Sequence, residues 1–249
     1  MGATSRERYA VVSCHVERPL DDAVWARFVA LQEERPAGFA IAALVRPADA
    51  AAQEDVPAWV GRATGAGSRA PLGHHTHWTA PDHARPTGAA TGARVLGEGR
   101  ALREHGLKPT LFCGGGWYTD VEVAEACAEL GYVDCTLRAR RPPYLPAGER
   151  WGMLAAPAVV ELPSGRTLGA MPTTHSLGDL ARSLARRELP PVVHVYFHDT
   201  DLLDRRRRTL LSVVLRLLAR RAEVSDLDTL GARLLSDAPR ATWADVARH

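Results

Sequence analysis

The sequence predicts an α/β fold whose parallel strands close, or nearly close, into a barrel. Three observations carry that prediction. Short strand-like runs alternate with amphipathic helical stretches, giving about seven strands along the chain. The connections between them have the length of strand–helix units. Three separate strand-like segments end in histidine, at 11–17 (VVSCHVE), 72–78 (LGHHTHW) and 192–199 (VVHVYFHD). That pattern is expected if one mouth of one sheet gathers its chemistry at the carboxyl ends of the strands.

Tyr9–Cys14 suits a buried parallel strand, and Asp21–Glu34 follows with Val24, Trp25, Phe28 and Leu31 at helical spacing. Phe39–Val45 is a second buried strand closed by Pro47. A short helix is expected around Val56–Arg62, then the strand Leu72–Trp78. Thr79–Thr91, with Pro81, Pro86 and Gly88, is a loop excursion long enough to cover a site. Gly92–His105 reads as a helix stopped at Gly106, and Pro109–Cys113 as a strand running into Gly114, Gly115 and Gly116. Asp120–Leu130 is a helix capped by Gly131, with Tyr132–Thr136 the next strand.

The proline-rich segment 138–152 is a second excursion near the mouth. Val159–Leu162 and Thr167–Met171 resemble a hairpin, followed by Thr173–His175 and a helix over Leu177–Arg187. Val192–Phe197 is a strand, and a long helix runs from about Asp201 to Arg221. Its apolar stripe would be Leu203, Leu210, Val214, Leu217 and Leu218, crossed by snorkelling arginines. A short strand at 223–227 and a helix at 229–235 complete the elements. Residues 1–249 are read as one domain.

Composition narrows the function. With 46% hydrophobic and 24% charged residues the chain is an ordinary globule, not a disordered or fibrous one. A net charge of +2, with Lys108 the only lysine, leaves no basic face for nucleic acid, and the one dense run, Arg205–Arg208, lies inside a helix. No window nears the ~18–20 apolar residues of a membrane span, and the first residues lack a signal-peptide core. The cysteines Cys14, Cys113, Cys127 and Cys135 have no CxxC spacing and are read as reduced thiols of a cytoplasmic protein. A small-molecule substrate is the expected partner.

Imidazole is the side chain suited to binding a divalent metal or moving a proton near neutral pH. His74, His75 and His77 within four residues, joined by His15 and His198 from other strand ends, are therefore the candidate reaction centre. His175 is expected to line the pocket, and His194, in mid-strand, to be core or helix-facing. Asp199 and Asp201 are read as caps of the following helix. Trp78, Trp117 and Tyr118 offer surfaces for stacking on a ligand or for packing.

These residues, in order over most of 8–235, resemble a divergent branch of the polysaccharide deacetylase family, also called the NodB-homology or carbohydrate esterase 4 family. The resemblance implies a distorted seven-stranded (β/α) barrel and hydrolysis of N-acetyl groups or related C–N bonds with a divalent metal, commonly zinc. The family's first motif, an aspartate base followed two residues on by an acidic ligand, falls on His15 and Glu17. Its second, G-x-H-[ST]-x-x-H, laid on Gly73–Thr79 makes His75 the first ligand and puts Thr79 at the second. A shifted frame makes His77 the second and leaves Gly73 at the first. Its third, R-x-G-G-W-Y, falls on FCGGGWYTD, with Cys113 at the arginine position and Gly115, Gly116, Trp117 and Tyr118 in agreement. Its last supplies a histidine acid, matched by His198 in YFHDTDLLD.

The resemblance thus implies Glu17, His75 and His77 as metal ligands, His15 and His198 as base and acid, and Cys113, Gly115, Trp117 and Tyr118 around the substrate, where His175 is expected from its place at a strand end. Replacing an aspartate by His15 while losing the arginine at Cys113 strands no charge, since a neutral imidazole needs no cation beside it. Two further readings stand beside the hydrolase. One is a metal-independent acid–base enzyme using His15, His75 and His198. The other is a silent member of the family that binds a ligand.

Overall fold

The structure, a computed structural model, describes residues 7–49, 51–78, 86, 88, 90–143, 145, 148–149, 151–186 and 188–247. Strands and helices alternate: β1 (Tyr9–Val16), α1 (Asp22–Glu34), β2 (Ile41–Val45), α2 (Val56–Gly67), β3 (Leu72–Thr76), α3 (Thr91–Glu104), β4 (Leu111–Gly114), α4 (Val121–Glu129) and β5 (Val133–Asp134). The antiparallel pair β6 (Ala158–Glu161) and β7 (Thr167–Ala170) follows, then β8 (His175–Ser176), α5 (Leu177–Arg186), β9 (Val192–His198) and α6 (Arg205–Ala219). Last come β10 (Glu223–Val224), α7 (Leu227–Leu235), β11 (Arg240–Thr242) and α8 (Trp243–Val246), of which β11 and α8 have no clear signal in the sequence.

All these strands join one sheet in the order β11-β6-β7-β5-β4-β3-β2-β1-β9-β8, with β10 on β1, and every pairing except β6–β7 is parallel. The segment from β7 to β8 touches both sides of the sheet. Met171 N–H donates to Asp134 O at 2.9 Å and Thr173 N–H to Leu137 O at 2.9 Å, while Thr174 N–H donates to His194 O at 3.0 Å.

Strand register sorts the side chains into two layers. Val11 lies opposite His194, Ser13 opposite Tyr196 and His15 opposite His198 across β1–β9, and laterally paired residues share a face. That face meets Tyr9, Leu44, Leu111, Cys113, Cys135 and Met171 in an inner cluster. The alternate residues Ala10, Val12, Cys14 and Val16 pack outward against helices. Gly73 on β3 is a steric requirement of the inner layer, because a Cβ there would lie 2.2 Å from Leu44 Cδ2 and 2.9 Å from Leu111 Cβ.

Helix ends follow local chemistry. Asp21 caps α1 by accepting from Ala23 and Val24 N–H, and Val24, Phe28 and Gln32 form its buried face. For α6 the expected stripe is corrected. Leu211, Val214, Leu215 and Leu218 face the core, whereas Leu203, Leu210 and Leu217 are exposed. Its cap is Asp204, not Asp199 or Asp201, because the chain makes a short 3-10 turn over Asp199–Leu203 first. Most of the predicted loop 79–91, including Thr79, lies outside the described residues, and Thr91 already belongs to α3. No helix among the described residues is long and apolar enough to cross a membrane. The four cysteines are free and buried.

Candidate active site

β1, β3 and β9 deliver the histidines. His75 and His77 are two residues apart, so the pleat sends both toward one face and His74 to the other. On the outer face His74 Nε2 lies 2.8 Å from Glu98 Oε2, which also accepts from Thr76 Oγ1 at 2.8 Å. Arg94 donates to Glu98 Oε1 at 2.8 Å and to the Trp78 carbonyl. α3 thereby ties down the strand end that carries the two inward imidazoles.

Glu17, just past β1, is the centre of the inner group. Its Oε1 lies 3.4 Å from His77 Nε2, 3.7 Å from His75 Nε2 and 3.6 Å from His198 Nε2. Glu17, His75 and His77 each offer one ligand atom within 4.8 Å of the others, and His15, His75 and Cys113 form a second such trio. Glu17 and His198 retain 28% and 38% side-chain exposure, whereas His15 and His75 are only 3% and 2% exposed. The group thus has a wet mouth and a dry floor.

The floor is dense with rings. His15 lies 4.6 Å from His75, 5.2 Å from His198 and 5.3 Å from each of Trp117 and Tyr196, centroid to centroid. Trp117 reaches this position through a turn with φ of 55° at Gly116 and 61° at Trp117 itself, a left-handed conformation unusual for a bulky side chain. The turn is pinned where Gly114 N–H donates to Thr136 Oγ1 at 2.8 Å.

Burial sets the protonation states. It drives the His15 pKa well below the ordinary imidazole value, helped by the neighbouring His75 and His198, and it lowers His75 as well. For Glu17 burial pushes upward, but the imidazoles of His75, His77 and His198 prevail and hold the carboxyl well below the usual range. Burial raises the Cys113 thiol well above its ordinary value. His194 is pushed down to about 4 by burial and sits in the inner layer, 2.9 Å from Ser13 Oγ.

This donor set fits a divalent cation. His75 Nδ1 lies 2.8 Å from the Cys113 carbonyl and must donate to it, so in the neutral ring Nε2 turns a lone pair toward the Glu17 carboxylate. Neither nitrogen of His77, nor Nε2 of His15, has a hydrogen-bond partner, although all are buried. Donor separations of 3.4 and 3.7 Å are long for hydrogen bonds. Cation–ligand bonds of about 2.1 Å at tetrahedral angles put ligand atoms about 3.4 Å apart.

The structure therefore brings together His15, Glu17, His75, His77, Trp117 and His198, with Cys113 fully buried beneath His15 and His75. Gly115 contributes a carbonyl that accepts from Trp78 Nε1 at 3.1 Å, so this indole serves packing. Two expected substrate contacts are corrected. Tyr118 turns to the helix layer, with its hydroxyl 2.7 Å from Asp120 Oδ2 and its ring against Trp78. His175 pairs with Val195, an outward-facing residue, and bonds to Thr174 and to Ser183 of α5. Sequence reading missed Arg138, whose guanidinium carbon lies 4.4 Å from the Trp117 ring centroid and 5.2 Å from that of Tyr196. It opens a segment that looks irregular, yet the alternation through Val133–Arg138 was a usable signal.

No protein-family model and no curated protein sequence matches this chain. Among solved structures it is similar to a 4-α-glucanotransferase from Thermococcus litoralis, with a TM-score of 0.60 and 11% identity over 95% of this chain. It spans only 42% of that enzyme's length, and the likeness is one of fold. A family 4 carbohydrate esterase from Streptomyces lividans, in complex with acetate, aligns at a TM-score of 0.41 and 12% identity over 92% of this chain and 91% of that one.

Proposed function

We propose that this chain is a hydrolase of an amide or other C–N bond in a soluble small molecule, working with a divalent cation, zinc by preference. Glu17, His75 and His77 would hold the ion. The observation that carries the reading is the Glu17 carboxylate facing two buried imidazole nitrogens at 3.4 and 3.7 Å, spacings that suit shared ligation. A cation bound there supplies Lewis acidity toward water and toward a polarised carbonyl oxygen.

The rest is done by the chain itself. His15, held neutral by burial, is available as a base at the floor, and His198, half exposed at the mouth, can deliver a proton to a departing nitrogen. Trp117 and Tyr196 wall His15 on two sides and exclude water from it. We read the sheet as a distorted seven-stranded barrel of NodB type, with the 167–176 segment as one strand bridging β5 and β9. The hydrogen bonds of Met171, Thr173 and Thr174 support that closure. Four buried free thiols favour a reducing, cytoplasmic setting.

Elemental analysis and zinc titration of protein purified without chelators test the proposal. One equivalent bound in the wild type and none in Glu17→Gln is expected. Absence of stoichiometric zinc in the wild type overturns it, and activity that resists chelation yet is lost in His198→Ala would assign metal-free acid–base chemistry instead.

A further inference from the structure

Arg138 is a buried cation that the mechanism above does not use. Only 7% of it is exposed, and its Nε and Nη1 donors have no hydrogen-bond partner. No carboxylate among the described residues pairs with it. Two aromatic rings, Trp117 and Tyr196, flank the guanidinium and offset part of its charge. Neither ring supplies an acceptor for Nε or Nη1. Leaving a buried charge and two donors unanswered costs several kcal/mol in general. A fold that retains such a group holds it for something that arrives from outside.

The same two rings pack against His15, each at 5.3 Å, so the unsatisfied guanidinium edge stands one ring away from the reaction centre. Arg138 begins the run Arg138, Arg140, Arg141, and the charges of Arg138 and Arg140 both depress the His175 pKa, after burial and against Asp179. The planar fork of arginine matches the paired oxygens of a carboxylate or phosphate.

We propose that Arg138 is the receptor for an oxyanion, carboxylate or phosphate, carried by the substrate, making the substrate class an anionic amide or related C–N compound. This rests on the C–N hydrolase reading for the reaction itself, but not for the anion site. Arg138 is a specificity-determining residue in this scheme, fixed by its rings before the ligand enters.

The test separates the two. Glu17→Gln protein, freed of divalent cations, is melted in increasing acetate or inorganic phosphate, with chloride holding ionic strength constant. A saturable rise in Tm with acetate, phosphate or both, absent with chloride and abolished by adding Arg138→Met, is the expected result, and the responding anion names the group. No saturable rise with either, or a rise that survives Arg138→Met, overturns the proposal. Should Arg138→Met not fold, Arg138→Lys keeps the charge without the fork and is expected to bind the anion at least ~10-fold more weakly. Unchanged affinity there is equally fatal. Because no metal is present, failure here leaves the zinc titration untouched, and failure of the zinc titration leaves this result standing.

Discussion

Replacing Asp134 by asparagine should stabilise the protein above pH 6 and leave it nearly unchanged at pH 4. Asp134 on β5 is 1% exposed, and burial raises its pKa from the ordinary 3.8 to about 6, against hydrogen bonds from the Thr136 backbone and side chain that pull it down. A carboxyl with a raised folded-state pKa binds its proton more tightly folded than unfolded, so its penalty is absent below 3.8, grows between 3.8 and about 6, and is constant above. The interval is worth about 3 kcal/mol. Asparagine cannot ionise and keeps the Oδ1 that accepts from Thr136 N–H at 2.7 Å, and the help that bond gives the charged carboxylate is already contained in the pKa of about 6. The gain at pH 7 should therefore be about 3 kcal/mol. Urea unfolding of both proteins from pH 4 to 8 measures it, and the difference curve cancels Asp199 and the histidines, which both share. Parallel curves, or a less stable Asp134→Asn at pH 7, would refute the reasoning.

Other consequences can be measured directly. Gly73→Ala puts a methyl into Leu44 and Leu111 and should cost about 1–3 kcal/mol, read as a lower urea midpoint with an unchanged slope. Glu98→Ala removes the outer anchor of His74, Thr76 and Arg94; it should lower stability by about 2–3 kcal/mol and zinc affinity by about 10-fold, by calorimetry. On α6, Leu215→Ala should cost about 2–4 kcal/mol and Leu210→Ala within about 0.5 kcal/mol, because the first is fully buried and the second 36% exposed. The opposite ranking would restore the stripe expected from sequence.

Strands and helices were legible because burial and local chemistry agreed. Val11, Val12 and the 192–197 run read as strands wherever they pack, and Asp21 before an apolar period marks a helix start. The gathering of His15, His75, His77 and His198 was legible too, since each sits at a strand's carboxyl end. Facing was not. His175 also ends a strand segment, yet its pairing with Val195 turns it outward, and register is fixed by partners far away in the chain. On α6 the 3-10 turn over 199–203 takes Leu203 out of the helix, and the core meets the face of Leu211, Val214, Leu215 and Leu218. Arg138 escaped notice because prolines nearby mark a loop, while its own place continues the pleat of β5.

The pairing of β1 with β9 sets Tyr9 beside Val192 and His15 beside His198, joining positions 183 residues apart in the sequence. During synthesis the ribosome must add all of those residues before the second imidazole of that pair exists. Contacts so remote in sequence form late in folding, after the entropic cost of a very large loop has been met. A molecule halted or clipped before residue 198, however compact, therefore lacks an assembled centre.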